Sequence, residues 1–199
     1  MANNCKSMIE VTANDEAVKF LGEKLDLCKH GDILSFAQAF YENVEVSDDG
    51  ESVMNSWSID NLGSKWNYLY DALADDDFMI ESAWYPPTDF FKHLYKMLHE
   101  IDPDVQIKVK YEDEAYDPIG AYVIKKDENG IPMSYQEEDD EMEDPTLEMD
   151  WDDEGYDEAQ MNFMDSIAER EDEMVEFCIQ MIDEGNGDPI FKEELQTEE

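Results

Sequence analysis

The chain has 199 residues, with 54 Asp or Glu against 13 Lys or Arg and a formal net charge of −41, while 42% of it is hydrophobic and 12% aromatic. That apolar share excludes a chain disordered throughout, and the length suffices for one domain with a core plus an extension. The charge argues against DNA, RNA and anionic membranes as direct ligands, and predicts attraction to proteins whose own surfaces hold phosphate. Cys5, Cys28 and Cys178 are too few and too unevenly spaced for a disulfide framework or a CxxC knuckle, which fits a reducing cytoplasm. The opening MANNCKSMIE lacks a basic then apolar leader, and no run approaches the ~20 apolar residues of a membrane span, so neither secretion nor insertion is expected.

In chain order, Met8 to Thr12 reads as a short strand. Asn14 can cap a helix through Leu25, with Val18, Leu21 and Leu25 on one face and Asp15 and Glu16 in the first turn, where the helix dipole favours them. Ile33 to Val46 shows no single period and is compatible with a helix or with irregular structure. The Asp, Gly, Ser and Asn content from Asp48 to Gly63 suggests loops around a short strand near Ser52 to Ser58. Phe78, Ile80, Ser82 and Trp84 alternate with Met79, Glu81 and Ala83 as a strand does. After Pro86-Pro87, Thr88 is the expected cap of a helix that turns Phe91, Leu94, Leu98 and Ile101 inward.

Val105, Ile107, Val109 and Tyr111 alternate with Gln106, Lys108 and Lys110 over the clearest strand of the chain. A strand from Gly120 to Lys126 reaches the hairpin turn Asn129-Gly130 and is expected to pair with Ile131 to Tyr135. Two helices among four or five largely antiparallel strands predict an α+β sandwich with helices on one face, expected to fold as residues 1–135 without the rest.

The segments ANNCKSMIEVTA, SWSIDNLGSKWN, ESAWYPPTDFF and KYEDEAYDPIGAYVI, in this order and at these separations, resemble the YubB-type ferredoxin-like family of plasmids and phages over about residues 1–126. The resemblance implies a ferredoxin-like antiparallel sheet and a mobile-element setting. It implies no reaction and no iron–sulfur cluster, for which three scattered cysteines could not supply four ligands.

Beyond Tyr135 an acidic extension begins. From Glu137 to Glu199 there are 27 Asp or Glu against Arg170 and Lys192, a net of −25. Residues 136–156 read as an acidic linker interrupted by Met142, Leu147, Met149, Trp151 and Tyr156, apolar residues dense enough to dock on something. Residues 157–199 read as an amphipathic helix and a tail: Met161, Met164, Ile167, Ala168, Met174, Val175, Cys178 and Ile182 form a stripe, with Gly185 as its stop. The carboxylates expected to meet a partner are Glu137, Glu138, Asp139, Asp140, Glu141, Glu143 and Asp144, then Asp152, Asp153 and Glu154, then Asp165, Glu169, Glu173 and Glu176 on the helix. Like charges four residues apart, such as Asp165/Glu169, cost about 0.2–0.5 kcal/mol each, which mixed signs would reverse; a one-sign face suggests that the anionic field itself is used.

Chemical motifs are weak beside this. Asp150, Asp152, Glu154, Gly155 and Glu158 imitate the start of an EF-hand loop, yet the twelfth position is Met161 where a bidentate Glu is needed. His30, His93 and His99 do not share a helix face, and no phosphate loop, nucleophile elbow or HExxH occurs. No catalytic residue, metal or cofactor is therefore assigned, and the expectation is a cytoplasmic interaction protein rather than an enzyme. A rigid carboxylate surface can occupy a groove built for DNA, so the leading reading is a DNA mimic from a mobile element, an inhibitor of a basic, nucleic-acid-binding host defence protein of the restriction or CRISPR nuclease class. The alternative is an acidic adaptor whose Met-rich helix and Trp151 bind a partner or a second copy in a homodimer, the charge serving only solubility.

Overall fold

The computed structural model describes residues 3–191 except 43, 45–50, 75, 115, 117, 141, 143, 147–148, 151 and 153–154, and for 51–55 the backbone alone. In chain order the elements are β1 (Asn4–Thr12), α1 (Asp15–Leu25), α2 (Ile33–Phe40), α3 (Glu51–Leu62), β2 (Lys65–Ala72), β3 (Asp77–Ala83), α4 (Thr88–His99), β4 (Gln106–Asp113), β5 (Ile119–Lys126), β6 (Pro132–Asp139), α5 (Tyr156–Asp183) and β7 (Asp188–Pro189). The strands form one α+β sheet in the order β2-β3-β1-β4-β5-β6-β7, antiparallel at every described pairing.

Alternation places the core. On β1, Cys5, Ser7, Ile9 and Val11 are buried while Lys6, Met8 and Glu10 are exposed, and on β4 Ile107, Val109 and Tyr111 point to the same side as the buried β1 residues. Helices α1, α2 and α4 close that side. Asn14 caps α1 as expected, its Oδ1 accepting from the amides of Glu16 and Ala17 at 3.1 and 3.0 Å, and Ala17, Leu21 and Leu25 turn inward. Phe36 and Phe40 from α2 and Phe90 from α4 meet with ring centroids 4.9–5.4 Å apart at the centre of this layer.

One open alternative is resolved here and two expectations are corrected. Ile33–Phe40 resolves as a helix because Asp32 accepts from the amides of Leu34 and Ser35, a cap that the run of apolar residues obscures. The strand expected near Ser52 to Ser58 lies instead within α3: its apolar residues share no face, so tertiary contact decides its state, with Ser58 and Leu62 buried, Trp57 edge-on to Tyr41 at 5.1 Å, and Gly63 at φ 87° closing it by donating to Ile59 O. Thr88 is the first residue of α4 rather than its cap, which is Pro87, and the inward residues are Phe90, Phe91, Leu94, Tyr95 and Leu98, with Ile101 only partly covered.

The expectation of helices on one face is also revised. Every residue from Ile119 to Ile124 is buried, so β5 has no solvent side. Gly120, Tyr122 and Ile124 face the first core, and Gly120 is required there: a Cβ would collide with the Tyr111 ring and approach Glu137 O at 2.8 Å. Ile119, Ala121 and Val123 face the other way and, with Met133 of β6, form a second core with Phe163, Ile167, Met174, Val175, Cys178 and Ile182 of α5. α5 thus covers the β5–β6 half of the second face and leaves the β1–β3 half open.

Ile167 is 2% exposed and Met161 66% exposed, although both belong to the apolar stripe read from sequence. Ile167→Ala should cost about 2–4 kcal/mol of unfolding free energy, and Met161→Ala less than about 0.5 kcal/mol. Denaturant titration of both variants checks this; equal losses would mean that α5 lies on the sheet in a different azimuth. Residues 1–135 alone carry Ile119, Ala121, Val123 and Met133 uncovered, and should aggregate or lose a cooperative transition rather than persist as a separate domain.

Candidate functional site

Glycine begins the long helix. Gly155 sits at φ 94° before α5, and Asp157 and Glu158 occupy the first turn, where the dipole favours anions. Twenty-eight residues then present two faces. The inward one holds Phe163, Ile167, Met174, Val175, Cys178 and Ile182, and the outward one holds Asp165, Glu169, Asp172, Glu173 and Glu176, all exposed. Over Asp165 to Glu176 the axis rises ~16 Å, so these five carboxylates average one per ~4 Å, close to the ~3.4 Å phosphate repeat along one DNA strand.

The phase of the apolar stripe differs from the sequence reading in its first turns. Phe163 is buried edge-on to Tyr116, with centroids 5.5 Å apart, while Met161, Met164 and Ala168 face solvent. One bulky ring under the helix leaves no room on that side for the methionines beside it.

The acidic residues expected from sequence separate into three groups. Asp165, Glu169, Glu173 and Glu176 come together on α5 as expected. Glu137, Glu138 and Asp139 are strand residues, because β6 continues to Asp139 by pairing with Ile119 to Ala121 and so ends the segment read as a linker from 136. Glu138 Oε1 accepts from Tyr111 Oη at 2.7 Å and from Gln136 Nε2 at 2.8 Å, and Asp139, only 17% exposed, accepts from Arg170 Nε at 2.7 Å. Asp140 and Asp152 are exposed, and Asp144 turns back to accept from the Thr146 amide and hydroxyl. Glu141, Glu143, Asp153, Glu154 and Trp151 lie outside the described residues.

Sequence reading missed the cations that hold the helix in place. Arg170 bridges Asp139 of β6 and Glu173 of α5, Lys125 of β5 meets Asp183 at 2.6 Å, and Lys110 of β4 meets Asp172 at 2.5 Å. Exposed pairs of this kind contribute at most ~1 kcal/mol each, so the apolar stripe supplies the adhesion and the pairs set the rotation of α5. Between α5 and the open half of the sheet lies a groove of about 200 Å³ lined by Met8, Glu10, Lys108, Lys110, Asp172, Val175 and Glu176. Nearby, burial pushes the Glu171 carboxyl up to about 7, with Glu112 and Asp172 adding and Lys110 opposing.

The histidines serve packing: His93 stacks on Tyr41 at 4.1 Å and bonds to Phe40 O, His30 bonds to Tyr70 O, and His99 stacks on Tyr95. Of the residues resembling an EF-hand start, Glu154 lies outside the described residues, and among the described residues no three Cys, His, Asp or Glu are grouped to hold a metal ion. Among the described residues, too, no helix is long and apolar enough to cross a membrane. No protein-family model, curated protein or solved structure matches this chain.

Glu171 gives a pH prediction with a definite sign. Its folded value of about 7 lies above the ordinary 4.5, so between these values the folded chain holds more proton than the unfolded one and stability falls as pH rises. Glu171→Gln should reduce that slope and raise the melting temperature at pH 8 relative to the parent. Thermal melts at pH 5 and pH 8 test it, and an unchanged difference between the two would place Glu171 in water.

Proposed function

We propose that the protein is a non-enzymatic DNA mimic, an inhibitor that occupies the nucleic-acid-binding site of a host defence protein of the restriction or CRISPR nuclease class. The observation that carries this reading is the row of Asp165, Glu169, Asp172, Glu173 and Glu176 on one exposed face of a helix whose opposite face is buried. A flexible acidic tail would lose conformational entropy on binding; a helix already ordered on a sheet binds without that cost. The like-charge repulsion along α5, ~0.2–0.5 kcal/mol per pair, is outweighed by ~1.5–3 kcal/mol for each large apolar side chain beneath it.

The mobile-element setting rests on the resemblance to the YubB-type ferredoxin-like family. The succession β1, helices, β2, β3, α4, β4, with sheet order β2-β3-β1-β4, supports a ferredoxin-like half to which β5, β6 and β7 are added. The partner is then a basic protein in the host cytoplasm. A second reading, the acidic adaptor, is favoured by Met161, Met164 and Phe177, which are 66%, 40% and 40% exposed on α5. Salt separates the two, since exposed charges are screened beyond ~8 Å at physiological ionic strength while apolar docking is not.

The purified chain should inhibit restriction or CRISPR nucleases, compete with duplex DNA for them, and show no affinity for DNA itself. Reversing Glu169, Glu173 and Glu176 together to Lys should weaken the complex by about 100-fold or more, because each Lys then faces a basic groove. Inhibition that survives in the Glu→Gln variants, or a complex that forms equally well on a nuclease already holding duplex, would remove the mimicry reading in favour of the adaptor.

A further inference from the structure

Among the described residues three bulky ones adopt the left-handed backbone region, and two of them are neighbours in space: Trp66 at φ 57° and Trp84 at φ 66°. Such a conformation is unfavourable for a side chain of this size and persists only where the surroundings impose it. The surroundings here are specific. Trp66 sits in a bulge where the β2–β3 register shifts between Lys65 and Tyr68, and it is flanked by a buried clasp in which Ser64 Oγ donates to Asn67 Oδ1 at 2.7 Å and Asn67 Nδ2 donates to Ser64 O at 2.6 Å. Trp84 donates its amide to Asn3 O at 3.0 Å, and the turn after it is tied by Ser82 Oγ donating to Tyr85 O. Bulges of this kind re-aim side chains.

The strain turns aromatic surface outward. The two indoles stack with centroids 6.1 Å apart, and Trp66, Trp84 and Tyr85 remain 37%, 44% and 63% exposed. Burial would be the ordinary fate of three such rings in a chain with an apolar core beside them. The face of Trp84 already attracts a cation, since Lys65 Nζ lies 5.4 Å from its centroid. Asn3 also donates to Asp113 Oδ2 at 3.0 Å, which joins the patch to Glu112, Asp113 and Glu114 at the same end of the sheet.

We infer that Trp66, Trp84 and Tyr85 form a docking surface for an arginine-bearing segment of a basic protein partner. Aromatic faces and a net charge of −41 complement a planar guanidinium, which stacks on indole and is easily stripped of water. The inference deepens the mimicry reading, on which the basic character of the partner rests. It adds a second contact on the other half of the sheet from α5, one that depends on stacking as well as charge.

The test uses the full chain at 1 M salt, where the screening length is ~3 Å. A capped Gly/Ser peptide carrying an Arg-Arg pair is titrated while the indole N–H resonances are followed by NMR, with a citrulline peptide as the uncharged control. The Trp66 and Trp84 resonances should move with the arginine peptide and stay with citrulline. Trp84→Gly, which suits the left-handed backbone and should fold at least as stably, should weaken binding roughly fivefold. Glu169→Gln, Glu173→Gln and Glu176→Gln together should leave this titration unchanged. Equal response to citrulline, parent-like affinity in Trp84→Gly, binding of a proline-rich peptide alone, or a concentration-dependent dimer abolished by Trp84→Gly would each overturn the assignment. Loss of duplex competition with an intact arginine titration would instead remove only the mimicry reading.

Discussion

Burial of β5 on both faces is the constraint on which the rest of this protein depends. Gly120, Tyr122 and Ile124 belong to the core under α1, α2 and α4, while Ile119, Ala121 and Val123 belong to the core under α5. One strand therefore joins two hydrophobic layers, and the sheet cannot be divided there without exposing one of them. The acidic helix is in this sense part of the fold rather than an appendage. Without the second layer, a helix carrying so many like charges would be marginal in water.

The same arrangement separates an adhesive face from an acidic one on α5. Apolar side chains at three- and four-residue steps attach it, Arg170, Lys125 and Lys110 set its rotation, and the carboxylates left over form a field of one sign. Two of these cations also reach the outer row, Lys110 at Asp172 and Arg170 at Glu173, while Lys125 meets Asp183 near the end of the helix. Neutralisation on that face is thus partial, and the remaining acidic excess keeps its sign.

Strain marks a different part of the surface. Left-handed Trp66 and Trp84 lie on the β2–β3 side, away from α5, and their backbone conformations are held by a buried Ser64–Asn67 clasp and by pairing to Asn3. A charged helix and an aromatic patch thus stand on different halves of one rigid sheet, the first governed by long-range field and the second by short-range stacking. A basic partner spanning both would be drawn in by one and held in register by the other.

Local chemistry in the sequence determined the elements whose signals are local. The Asn14 cap, the alternation from Val105 to Tyr111, the Asn129-Gly130 hairpin and the acidic face from Asp165 to Glu176 are each written within a few neighbouring residues, and the structure places them there. What depended on distant contacts was decided only by tertiary structure. α3 has no apolar face of its own and becomes a helix through Trp57, Ser58 and Leu62. The burial of IGAYVI on both faces, with α5 as its second covering layer, departs from the expectation of helices on one face, because period-two reading does not say what lies over either side. Likewise the choice of Phe163 over Met164, the pairing of Asp139 with Arg170 and the outward turn of Trp66 and Trp84 are set by what lies across the sheet, information that no window along the chain contains.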